Sequence, residues 1–168
     1  RLEDLPDPTP ECKVRLRDTT PLVERLWRIA LSDIEKNVVQ GKEGRYFGAG
    51  SNFGARVYTR DISYSGVFGL NTLYPQVTLD SIRYTRKLRT KLMFRVAKGY
   101  TVDGINAPWV EEDIPEFEFL KKYGTNSYTR RTDDPVWLFA AGNLLKEQGL
   151  DEEWSWLYRT GNECFEQL

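Results

Sequence analysis

The sequence of 168 residues contains no histidine. That absence removes Ser-His-Asp and Cys-His nucleophile pairs, and nearly all transition-metal sites, from what these residues can build alone. Carboxylate chemistry remains, and no cofactor is expected. Cysteine is scarce too. Cys12 and Cys164 stand far apart with no CxxC or other metal spacing, so two unpaired thiols are expected and no disulfide is inferred. The single methionine is Met93 and the chain opens at Arg1, so the natural start and any signal peptide fall outside it, and localisation stays unassigned. No apolar run approaches the roughly 20 residues that span a bilayer, so no membrane partner is expected. An excess of one charge is also missing. Acidic residues number 25 against 24 basic ones, and a net charge of −1 sets up no field to gather nucleic acid or an anionic surface.

What the chain has in quantity is aromatic and apolar residues. Hydrophobic residues make up 40% of it, enough to bury a core, and aromatics 13%, with five Trp and nine Tyr. Such rings pack cores, and they also stack on the apolar faces of sugars.

Residues 1–20 carry Pro6, Pro8 and Pro10 among charges without periodicity, which reads as an extended linker outside the core. Thr20-Pro21 then supplies a helix cap and a first-turn proline. Leu22, Leu26, Ala30, Ile34 and Val38 recur every four residues until Gly41, predicting an amphipathic helix. From Gly41 to Thr59, five glycines interleave with Tyr46, Phe47 and Phe53 in a long loop, and long structured loops are usually functional. A second helix is predicted from about Asp61 to Leu73, with Ile62, Gly66, Gly69 and Leu73 as a stripe suited to close packing.

Thr78 caps a predicted third helix, with Leu79, Ile82, Leu88, Leu92 and Val96 inward and Arg83, Arg86, Lys87 and Lys91 toward water. Residues 98–131 read as an elaborated loop with a possible short β-hairpin near Tyr100 to Trp109. Asp133 or Asp134 followed by Pro135 opens a fourth helix, apolar on every side and stopped at Gly149. Asp151 begins a fifth, striped by Trp154, Leu157, Tyr158, Phe165 and Leu168. The expected fold is therefore all-α, with helices alternating outer and inner and loops gathering at the mouths of the inner ones. No 34- or 40-residue repeat points to a regular solenoid.

Two stretches can carry chemistry. In Tyr58-Thr59-Arg60-Asp61, an arginine and a carboxylate beside rings offer fixed donors and acceptors to a hydroxyl-rich ligand. The plainer reading makes Asp61 a helix cap and Arg60 half of a surface ion pair. In Arg130-Arg131-Thr132-Asp133-Asp134-Pro135, Asp134 suffices as a cap, which leaves Asp133 and the arginines over. Two carboxylates fall far short of a Ca²⁺ ligand set, so sugar contact is preferred to metal.

Val57-Tyr58-Thr59-Arg60-Asp61 resembles the W/Y-x-R-D signature that opens an inner helix in (α/α)6-barrel, or six-hairpin, glycosidases of the glucoamylase-like, glycogen-debranching and trehalase-like kinds. Thr132 to Gly142 resembles the D-x-x-W-x-x-x-A opening of the next inner helix, and Gly149 to Trp154 the G-D-x-x-F/W turn after it. The resemblance spans residues 20–168. It implies a partial (α/α) toroid in which residues 21–168 form the first helical hairpins, an inverting hydrolysis of a carbohydrate substrate, and a −1 subsite built from Tyr58, Arg60, Asp61, Arg131, Asp133, Asp134 and Trp137. It places the general acid and base beyond Leu168, and it calls for the rest of the barrel, or a self-association partner, to cover the open arc. Tyr58 stands where many relatives have Trp. A non-catalytic carbohydrate-binding or interaction module is the alternative. A lyase or isomerase on the same scaffold ranks last, since such enzymes often use a His base.

Overall fold

The computed structural model describes residues 11–17, 19–41, 44–55, 57–93, 105–106 and 133–165. Helices dominate them, as expected from the periodicity. Helix α1 spans Pro21–Lys36, capped by Thr20, whose hydroxyl accepts from the Val23 amide at 3.4 Å. It ends five residues before Gly41 because Val38–Gln40 (β1) pairs with Arg45–Phe47 (β2) as an antiparallel hairpin. Only the later part of the four-residue row, Ile34 and Val38, packs against the core. Leu31 is buried and Trp27 and Ile34 pack beside it, whereas Leu22 and Leu26 are exposed. Each residue turns about 100° around a helix, so a strict spacing of four drifts off the face that spacings of four and three hold.

Val57–Tyr58 (β3) leads directly into α2, Thr59–Ser65. A π-helical segment, Gly66–Leu70, and a single turn, α3 (Asn71–Leu73), continue it, with a kink at Gly69. The long helix α4 follows over Pro75–Met93. It starts at Pro75, and Thr78 is internal to it, its hydroxyl donating to the carbonyls of Leu70 and Tyr74 at 3.0 and 2.9 Å. Leu79 and Ile82 are buried as predicted. The expected hairpin within 98–131 takes a different form where it is described: Ile105–Asn106 (β4) pairs antiparallel with β3. The remainder of that loop lies outside the described residues.

Helix α5 occupies Asp133–Gln148, and after a 3₁₀ turn at Asp151–Glu153, α6 occupies Trp154–Phe165. Helix α5 is the most enclosed, touching α2, α4 and α6. Trp137, Ala140, Ala141, Leu144 and Leu145 are buried in it, but Phe139 is exposed, so the prediction of burial on all sides holds for most of its circumference only. On α6 the expected stripe is reversed in part. Leu157 is buried while Trp154, Tyr158 and Phe165 face outward.

Two apolar clusters result. Leu31, Phe47, Val57, Ile62 and Tyr74 join α1 and the hairpin to α2 and the start of α4. Leu79, Ile82, Trp137, Leu144 and Leu157 join α4, α5 and α6. Cys12, a free thiol, is fully enclosed in the first cluster, so the segment read as a linker outside the core contributes to it. Lack of periodicity excludes a helix; it does not prevent one apolar side chain from docking.

Polar contacts then set the register between elements. The Phe47 amide donates to Ser81 Oγ at 2.9 Å, Tyr74 donates to Glu35 at 2.7 Å, and Tyr46 stacks on Tyr84 with centroids 4.4 Å apart. The indole N–H of Trp137 donates to the Ile82 carbonyl at 3.1 Å. Arg83, expected to be simply solvated, pairs with Glu153 and lies over the Trp156 ring.

Asp80, on α4 beside Gly44, accepts from Gln76 at 3.0 Å. Burial pushes its carboxyl above the ordinary aspartate range; the Gln76 hydrogen bond and the charges of Arg83 and Arg45 oppose this only in part. The folded state therefore holds this proton to higher pH than the unfolded chain. The associated stability is complete below the unfolded value and is lost as pH rises through the folded one. Asp80→Asn is expected to gain stability over the parent at about pH 7 and to lose that advantage near about pH 3, measured as urea midpoints. An equal difference at both pH values would contradict this.

Candidate functional site

A half-open cleft of about 850 Å³ lies between the β-hairpin, the loop that follows it and the α2–π segment. That volume suits a small organic ligand, for which about 300–1,000 Å³ is usual. Its floor is apolar, from the buried side chains Phe47, Val57 and Ile62. Its rim carries Phe53, Asp61, Ser65 and Phe68, all exposed.

Each wall has a local cause. Gly48 lets two strands of chain meet: its amide donates to the Asn37 carbonyl at 2.8 Å, and a Cβ there would stand 2.6 Å from the Gly54 carbonyl oxygen. Gly50 and Gly54 then close the turn with φ of +83° and +61°, a region that side-chain-bearing residues rarely enter. The turn brings Phe53 edge-on to Tyr58, with centroids 5.7 Å apart. On the opposite side the π segment, kinked at Gly69, places Phe68, Gly69 and Leu70 along the cleft. Wide turns of this kind are uncommon and frequent at functional sites.

The β3–β4 pairing delivers Tyr58 to the helix start, where Tyr58 itself is the cap residue, in extended conformation and without a side-chain capping bond. Asp61 is thus a first-turn residue, favourably placed for the helix dipole, and the cap role read for it belongs to Tyr58. Adjacent helical residues diverge by about 100°, and this separates the Arg60-Asp61 pair. Asp61 lines the cleft, and among the described residues it has no hydrogen-bond or ion-pair partner. Arg60 turns to α5, where its Nε lies 3.0 Å from Asp133 Oδ1. The guanidinium is 43% exposed and the carboxylate 4%, so this contact is neither a surface pair nor a fully buried one.

Of the residues expected to form one sugar subsite, Tyr58 and Asp61 share the cleft. Arg60 and Asp133 meet behind it at the α2–α5 contact. Asp134 is 2% exposed at the head of α5 and does not reach the cleft. Trp137 is 0% exposed and offers no ring face to a ligand; its place is the second core cluster. Arg131 lies outside the described residues. The motif spacing missed Ser65, at the end of α2, and Phe68 and Leu70, which reach the cleft from the π segment. Phe47 and Phe53 come from the glycine and aromatic loop already marked as functional.

Among the described residues no three His, Cys, Asp or Glu side chains gather as a metal site, and no helix is long and apolar enough to cross a membrane. Compared with family profiles, curated proteins and solved structures, the chain matches none.

Proposed function

We infer that this chain supplies the sugar-binding part of an (α/α)-barrel glycosidase, its helices forming the first hairpins of the toroid. The observation that carries this reading is the cleft at the mouth of α2, where Asp61, Ser65, Tyr58 and Phe53 border an open cavity. A carboxylate accepts from sugar hydroxyls, and rings beside it stack on the C–H face of a pyranose. The predominantly helical architecture is consistent with it. So is the apolar surface left on α5 and α6 at Phe139, Tyr158 and Phe165, which further helices of a barrel or a second copy would cover.

Inverting hydrolysis needs two carboxyl groups about 6.5–9.5 Å apart, one donating a proton to the glycosidic oxygen and the other activating water. Among the described residues, Asp61 is the one acidic side chain lining this cleft. Its role is hydroxyl acceptor, and the acid and base are assigned to hairpins beyond Leu168. That single carboxylate also favours a second reading, in which the chain binds carbohydrate without cleaving it.

Calorimetric titration with methyl glycosides and iminosugars tests the reading. Asp61→Ala removes a charged acceptor, a loss of about 1.5–3 kcal/mol, so affinity is expected to fall roughly ten- to a hundredfold. Failure of the parent protein to bind any sugar, or equal affinity in the variant, would overturn it. Hydrolysis by a longer chain, absent from this one, separates enzyme from binding module.

A further inference from the structure

We propose that the cleft selects glycosides with an apolar aglycone, an alkyl or aryl group that lies on the floor while the sugar sits at the rim. This rests on the sugar-binding reading above and names the substrate class of the same site.

The cleft is divided by depth. Among the described residues its buried lining is Phe47, Val57 and Ile62, none of which has a polar side-chain atom, and Leu70 and Leu73 extend that apolar surface. The exposed polar side chains, Asp61 and Ser65, are at the opening. Among the described residues the other polar side chains of the lining are Tyr58, beside Phe53 at the rim, and Asn37, whose Nδ2 donates to the Asp33 carbonyl at 2.9 Å.

An oligosaccharide presents hydroxyls along its whole length. Each one pushed against Phe47, Val57 and Ile62 would lose water without gaining a side-chain partner from them, which is unfavourable. An alkyl or aryl group meets the opposite balance, because its transfer from water onto such a surface is favourable in proportion to the area covered. One ligand type satisfies both zones: hydroxyls against Asp61 and Ser65, and a hydrocarbon group toward Phe47 and Ile62. The volume, about 850 Å³, accommodates both parts together.

The test is calorimetric titration of this protein with methyl and octyl glycosides of glucose, galactose, mannose and xylose, below micellar concentration, with trisaccharides of the same sugars and with octanol. For the sugar that binds, the octyl glycoside is expected to bind at least about tenfold tighter than the methyl glycoside. Leu70→Ala should lower octyl glycoside affinity more than methyl glycoside affinity and so remove much of that gain. Phe68→Ala is the companion variant, since its ring is 83% exposed and its loss leaves the core intact. Asp61→Asn should weaken methyl and octyl glycosides alike. Methyl glycosides or trisaccharides binding as tightly as octyl glycosides would overturn the aglycone proposal and leave sugar binding standing. Octanol binding as tightly as octyl glycosides, no effect of Asp61→Asn, or no binding across the panel would overturn both.

Discussion

Trp137→Ala is expected to lower the free energy of unfolding by about 3–5 kcal/mol, a large share of the stability of an ordinary domain. The indole is fully enclosed. It packs edge-on to Trp156 with centroids 5.7 Å apart, and its N–H satisfies the Ile82 carbonyl on α4. The truncation therefore opens a cavity among α4, α5 and α6 and removes one of the hydrogen bonds to the Ile82 carbonyl, which keeps the Thr85 hydroxyl as a donor at 2.7 Å, so the cavity carries most of the cost. Urea unfolding followed by far-ultraviolet circular dichroism measures the effect as a lowered midpoint. The same variant, kept under conditions where it is folded, should retain its affinity for methyl glycosides, because the ring does not border the cleft. Lost binding with unchanged stability would return Trp137 to a ligand-contact role.

Gly48→Ala is the second large effect. A methyl group at this position meets the Gly54 carbonyl oxygen at 2.6 Å and Val39 Cγ2 at 3.0 Å. The nearer atom is backbone, so the contact is relieved by moving chain and not by rotating a side chain. A loss of about 1–3 kcal/mol is expected, in the range for overpacking. Because the displaced turn holds Phe53 against Tyr58, sugar affinity should fall with it by about tenfold, or about 1.4 kcal/mol. Gly142→Ala is the control: its added methyl meets nothing within 4 Å, and in the interior of α5 alanine should stabilise by up to about 1 kcal/mol. Both differences come from thermal or urea midpoints and from titration of one glycoside. A neutral Gly48→Ala would mean that the close approach does not shape the cleft.

Much of the architecture was readable before any coordinates. Thr20-Pro21, Pro135 and Gly149 stand at or beside helix boundaries, because a proline without an amide hydrogen is tolerated in a first turn and glycine reaches the φ of +64° found after α5. The hairpin β1–β2 was not readable. Its strands are three residues each, too short for alternation to be distinguished from loop. Which side of α6 faces inward was equally hidden, since Trp154, Tyr158 and Phe165 are as apolar as Leu157 and hydrophobicity alone does not rank them.

The candidate site divides along the same line. The sequence by itself determined that the chain is mainly helical, that it offers carboxylates and aromatic rings but no histidine, and that the glycine and aromatic loop meets a helix at Tyr58. These follow from local residue types and their spacing. Only the tertiary structure decided that Arg60 and Asp61, neighbours in the chain, serve different places. A helical step of about 100° aims one at α5 and the other at the cleft, and only the position of α5 supplies Asp133 as the partner. Burial of Trp137 and the approach of Phe68 through the π turn depend likewise on elements distant in sequence, whose packing no local pattern specifies.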